Sequence, residues 1–371
     1  MEQSKGKIGV KEFIAIIILM TGTKLADDTP AILYEKLSNA GWVAPLIIGV
    51  ISIIPVFLLI KVTTTYQNKN LIEVVDHVFG RIIGFFIILF LWIISYSALI
   101  IDSAIYTDII GTMYFVRTPT IVIYALLMAV CAYGGKRGFE QIGSTAWAVI
   151  PYIKASLFLA LILSFNKGNF AFIHPIFGPG EWEVLKESTL KLSIFADLLF
   201  IFILYPLVKS KKDFTRGVWI SLIILSIELT LAMLAYVFLF DYKTVEMLNY
   251  PFHEAIRSVE MGFLSNMETF FFPFWLISSF VRFSVYIYIT AILFGRLFKI
   301  DHFEYVIPSI ATLVVFIGLI PESPTHSIFE LRETLINLTT PVYFILPFLL
   351  WIVAKLKGDF KHDNKNGSKD G

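Results

Sequence analysis

Charge is scarce in this sequence. Only 16% of its 371 residues are Asp, Glu, Lys or Arg, against roughly 25% in soluble domains, and the mean hydropathy is +0.77. A single water-exposed globule cannot bury a chain that is 57% apolar, so lipid-facing helices of roughly 20 residues are expected. Neither sign of charge dominates: the net charge is +1 and no basic face stands out, which excludes a nucleic-acid partner. The one cysteine, Cys131, cannot form an intrachain disulfide. His77, His174, His253, His302, His326 and His362 are scattered without metal-ligand spacing, and no metal or cofactor is expected. A G-x-x-x-x-G-K-[ST] phosphate loop is missing, as is a nucleophile with a base and an oxyanion hole; neither ATP-driven transport nor an enzyme is indicated. The start, from Met1 to Lys5, carries no cleavable-signal pattern.

Long apolar runs fill the rest. Ten are expected to span a membrane, at residues 8–37 (broken), 41–64, 81–114, 118–135, 138–165, 187–208 (broken), 214–241, 266–297, 302–320 and 333–357. The fold class is therefore an all-α polytopic membrane protein. Residues 1–360 form a single transmembrane domain, and the polar 361–371 stretch is expected to be a disordered cytoplasmic tail. Asn70 to Gly80 carries apolar residues at helical spacing and reads as an interfacial helix; a second amphipathic stretch covers 251–263. Grouping alternate loops collects most Lys and Arg, including Lys209, Lys211, Lys212 and Arg216, on one side, which makes both termini cytoplasmic.

Two of the apolar segments are interrupted, in matching places of the two halves. The first is broken at Thr21-Gly22-Thr23-Lys24 and the second at Ser193-Ile194-Phe195-Ala196-Asp197. Paired interruptions of this kind point to a mid-membrane binding site, because an unwound turn exposes backbone donors and acceptors. Thr21, Gly22 and Thr23 offer amides and hydroxyls to a carboxylate or a cation; Ser193 and Ala196 are small enough to let the backbone unwind, and Phe195 is placed to close over an apolar ligand. Ionisable side chains inside spans are functional candidates, each costing at least roughly 2.5–3.5 kcal/mol at the bilayer centre. Asp102, Lys154, Asp197, Glu228 and Arg282 qualify.

Ten spans with breaks in the first and sixth match the five-plus-five inverted repeat of the amino acid/polyamine/organocation transporters, the LeuT-like architecture. The repeats would cover about 8–165 and 187–357. More closely, the chain resembles the spore germination permease family, the B subunits of endospore germinant receptors. That resemblance extends over almost the whole chain. It is carried by Gly80-Arg81-Ile82-Ile83-Gly84, by Lys136-Arg137-Gly138-Phe139-Glu140, and by Tyr250-Pro251 followed by Arg257, Gly262-Phe263-Leu264, Glu268 and Trp275. The chain departs from the pattern at Ser265-Asn266, where a basic residue is expected, and in having Lys24 and Asp27-Asp28 after the first break.

The resemblance implies a small germinant, an amino acid or a nucleoside, bound between spans 1, 3, 6 and 8. It makes Tyr96 and Ile100 on span 3, and Ser284 with Tyr288 on span 8, candidates for ligand contact; Arg282 and Tyr286 lie on another face. It implies that Lys154 stands where sodium-coupled relatives bind sodium, with Asp197 or Glu228 as counter-charge and Asp102 as a further coupling or ion-pair candidate. It also implies a receptor A subunit and a lipid-anchored C subunit as partners, in the inner membrane of the spore. A proton-coupled amino acid transporter is the competing expectation, and a scaffold with a vestigial pocket the third.

Overall fold

A computed structural model describes residues 6–66, 69–258, 267–321 and 330–361 of the chain. The described residues are helical, apart from connections and one isolated parallel bridge between Ile8 and Val208. In order, the helices are α1 (Val10–Gly22), α2 (Thr29–Leu37), α3 (Ala44–Thr65), α4 (Leu71–Ile109), α5 (Thr120–Arg137), α6 (Phe139–Lys167), α7 (Glu181–Leu190), α8 (Asp197–Ile201), α9 (Lys211–Met247), α10 (Pro251–Ser258), α11 (Met267–Phe298), α12 (Ile307–Gly318) and α13 (Arg332–Lys357). α1 packs against α6, α9 and α11, and so lies at the centre of the bundle. Accordingly, every residue from Ala15 to Gly22 is buried.

Among the described residues, seven helices are long and apolar enough to cross a membrane, and eight do so if α7 and the bent segment after it form one span. The ten expected spans are thus met in part. The first apolar segment is divided into helices of 13 and 9 residues. The ninth is an apolar helix that stops at Gly318; α12 itself has 12 residues, about 18 Å at 1.5 Å per residue, short of a hydrocarbon core of roughly 30 Å.

Local signals explain several boundaries. Asn70 caps α4 through a reciprocal box: its side chain accepts from the Glu73 N–H at 2.8 Å, and Glu73 accepts from the Asn70 N–H at 2.9 Å. Gly80 then breaks α4 at φ 79°, a left-handed conformation natural to glycine, separating the expected interfacial helix from the spanning leg. Gly138, at φ 92°, makes the sharp junction of α5 with α6. Two of the three family-like motifs therefore sit on backbone turns. The third falls partly on 262–266, outside the described residues, as do the tail 362–371 and the end of the amphipathic stretch, of which α10 is the described part.

Candidate functional site

Both interrupted segments are broken in the folded chain, the first later than expected. α1 runs on through Thr21 and Gly22, a 3-10 turn covers Thr23–Leu25, and α2 restarts at Thr29. The restart is set by Asp27-Asp28-Thr29-Pro30: the Asp27 carboxylate accepts from the Thr29 N–H at 2.9 Å, and Pro30 suits a first helical turn, where no N–H is needed. The second segment passes from α7 through a 3-10 turn at Leu192–Phe195 into α8, with a 50° bend. Both breaks are buried, so freed backbone groups must find internal partners. Tyr106 and Tyr236 each donate at 2.9 Å, to the Thr23 and Leu25 carbonyls. At the other break, the Lys24 ammonium donates to the Ile194 carbonyl at 2.7 Å and the Ser193 hydroxyl to the Ile336 carbonyl at 2.9 Å.

An ionic cluster joins the two breaks. Lys24 lies 2.9 Å from Asp197, which also accepts a hydrogen bond from Tyr286. Arg282 pairs with Asp102, donates to the Thr23 hydroxyl at 2.9 Å, and lies 5.4 Å from the Tyr106 ring centroid. Arg332, the first residue of α13, reaches Asp102 at 2.6 Å and Asp27 at 2.9 Å, and donates to the Thr29 hydroxyl at 3.0 Å. Its Nε lies 3.2 Å from Asp28 as an ion pair, although neither Asp28 oxygen accepts a hydrogen bond. Four carboxylates, Asp27, Asp28, Asp102 and Asp197, thereby face three cations, all seven residues buried. A cavity of about 50 Å³ adjoins the cluster, bounded by Ala98, Asp102, Ile194, Ala196, Asp197 and Arg332, among others.

A second polar centre adjoins the first break. Lys154 of α6 pairs with Glu228 of α9, beside another cavity of about 50 Å³ that Gly22, Thr23, Ser156 and Ser278 help to line. Of the two counter-charges expected for Lys154, Glu228 therefore holds that place and Asp197 is engaged by Lys24. Thr23 connects the centres: it lines the Lys154 cavity and accepts from Arg282.

The remaining expected residues are distributed as follows. Ala196 lines the cavity beside the cluster. Thr21 is buried with its hydroxyl unpaired, and Phe195 packs toward Gly49 of α3. On α4 the row facing the cavity is Ile94, Ala98 and Asp102. Tyr96 instead stacks on Trp92, with ring centroids 5.3 Å apart, and the Ile100 carbonyl accepts from Tyr124 of α5 at 3.2 Å. On α11 it is Arg282 and Tyr286 that enter the cluster. Ser284 faces Gly134 of α5, and Tyr288 packs between Phe139 and Phe303. Arg332 precedes the apolar run of α13 and in sequence resembles a loop cation, so hydropathy alone does not mark it. Asp27 and Asp28 were visible only as a departure from the family pattern.

α10, between α9 and α11 in the chain, packs against α6, α9 and α11, and its Phe252 lines the Lys154 cavity. His253 is buried there; its Nδ1 is 2.8 Å from the Tyr114 hydroxyl, and its ring meets Trp275 edge-on at 4.7 Å. Burial, with the Arg257 charge adding to it, lowers this imidazole to about 3. An unfolded histidine titrates near 6.5, so the unfolded chain takes up the proton first as pH falls. Stability from the neutral imidazole is complete above about 6.5 and is lost progressively from there toward pH 3. The melting temperature in detergent is expected to drop between pH 7 and pH 4.5, and His253→Gln to flatten that dependence; an equal drop in both proteins would place the sensitivity elsewhere.

Fold and site together define the class, a multi-pass α-helical membrane protein that holds an ionic cluster between interrupted helices. The chain belongs to the spore permease family described as spore germination protein, whose profile matches residues 8–327. It is similar to spore germination protein KB of Bacillus subtilis (strain 168), 22% identical with 97% of this chain and 98% of that protein covered. Spore germination protein B2 of the same strain is 22% identical over 70% of this chain and 71% of its own length. Spore germination protein XB of Bacillus anthracis is 25% identical over 48% and 50%.

Proposed function

We propose that this chain is the membrane-embedded B subunit of a nutrient-germinant receptor, and that it binds a small germinant where its two broken helices meet. The observation that carries this reading is the ionic cluster shared by both breaks and bordering a cavity. Charges in lipid are expensive, and a group of seven held in one place is a functional feature by default. The proposed scaffold is the ten-span, LeuT-like five-plus-five repeat, with α1 and α2 as its first broken span, α7 and α8 in its sixth, and α12 as its ninth.

Asp28, whose two buried oxygens accept no hydrogen bond, supports a ligand that brings an ammonium group, and so an amino acid more than a nucleoside. A cavity of about 50 Å³ holds only a few water molecules. An amino acid therefore enters only as the helices separate, and its preference for the open state is what drives the receptor. That shift passes to the receptor's A and C subunits in the inner spore membrane, with both termini of this chain on the cytoplasmic side. The paired Lys154 and Glu228 favour a second reading, a proton-coupled amino acid transporter, since a proton taken up by Glu228 releases Lys154.

Ala98→Leu tests the pocket, because its three added carbons fill the cavity without removing an ion pair. Spores carrying it are expected to need about 10-fold more amino acid for half-maximal germination, equivalent to about 1.4 kcal/mol of binding, at unchanged subunit abundance. Normal germination at normal concentrations would sink the pocket. Saturable uptake of labelled amino acid by proteoliposomes of the purified chain would instead establish the transporter.

A further inference from the structure

Far from the ionic cluster, the spanning leg of α4 and the end of α11 enclose a groove of about 770 Å³. Arg81, Arg296 and Lys299 converge on it, and Asp76 is the one acid among the described residues of its wall. Asp76 is taken by Arg296, whose Nε lies 3.0 Å from the carboxylate. The side chains of Arg81 and Lys299 have no hydrogen bond or ion pair among the described residues. Among the described residues the groove thus carries two uncompensated positive charges. Its remaining wall is apolar and open: Ile82 is 76% exposed and Phe86 63%, with Phe85 beside them.

Position and local conformation give the groove its occupant. Arg81 stands where α4 turns, at Gly80, from its interfacial leg into its spanning leg, which is headgroup depth. Lys299 follows the last residue of α11 at φ 56°, and the chain closes behind it through Ile300 N–H to the Gly295 carbonyl at 2.8 Å. Glycine takes that left-handed position at lower cost than lysine. Isolated cations at a membrane interface merely extend toward water; here two from separate elements meet over one apolar channel. Phosphate contact for Arg81 and Lys299 and an acyl chain along Ile82, Phe85 and Phe86 satisfy both halves at once.

We propose that this groove is a binding site for an anionic glycerophospholipid. Native mass spectrometry of the full-length protein in detergent, with phosphatidylglycerol and phosphatidylcholine of identical acyl chains, tests it. Phosphatidylglycerol is expected to be retained preferentially. The double variant Arg81→Gln/Lys299→Gln should weaken that binding about 30-fold, at the usual worth of two interfacial cations, and leave phosphatidylcholine unaffected. Lys211→Gln/Lys212→Gln, which removes the same charge from another exposed site, should leave both lipids unaffected. Equal retention of the two lipids, unchanged phosphatidylglycerol binding in the double variant, or displacement of the lipid by inorganic phosphate would each overturn the proposal.

Discussion

Replacing Arg332 with leucine is expected to cost about 3–5 kcal/mol of stability, the usual penalty for leaving buried charge without its partner. The guanidinium touches three of the four clustered carboxylates, Asp27, Asp28 and Asp102, and the Thr29 hydroxyl that opens α2. Without it, among the described residues, Asp27 and Asp28 keep no cation in contact and Asp102 retains Arg282 alone. Arg332→Lys keeps the charge but cannot reach three acids through one fork, and so falls between the two. Thermal or denaturant unfolding in a fixed detergent measures the loss. A change below about 1 kcal/mol, the range of exposed pairs, would show that the cluster is open to water. The same variant separates stability from response: if folded protein survives, weakened germination at normal abundance ties the cluster to ligand binding.

The pair that joins the two breaks should behave as a unit. Lys24→Met removes both the 2.9 Å pairing with Asp197 and the donor to the Ile194 carbonyl, leaving a buried carboxylate with Tyr286 as its remaining side-chain donor among the described residues. Asp197→Leu strands the ammonium in the same way. Each single change is expected to cost about 3 kcal/mol or more. The double variant should cost less than their sum by about 1–3 kcal/mol, because the second change removes the charge that the first had stranded. Additivity within about 0.5 kcal/mol would mean that the two helix breaks are held together by packing and not by this pair.

Legibility in the sequence followed the range of the interaction. Asn70 with Glu73, Gly80 and Gly138 mark boundaries through contacts or dihedrals within a few residues, and the structure places the boundaries there. Asp27-Asp28-Thr29-Pro30 is an equally local restart signal, and the first break opens at Thr23, two residues after the expected Thr21. The facing of the helices was harder to read. In a bilayer, lipid-facing and buried positions are both apolar, so the pattern that orients a soluble helix is weak. On α4, Tyr96 and Ile100 were as plausible from spacing as Ala98 and Asp102, and on α11 Ser284 and Tyr288 as plausible as Arg282 and Tyr286.

By itself, then, the sequence determined the membrane class, the two interrupted segments and the short list of ionisable residues worth explaining, because composition and local backbone preference settle all three. Only the tertiary structure decided which charges meet. Lys24 with Asp197, and Arg332 with Asp27 and Asp102, join residues far apart along the chain, and nothing in the spacing of either partner specifies the other. Their pairing follows from helices packed so that buried charges have no other means of neutralisation.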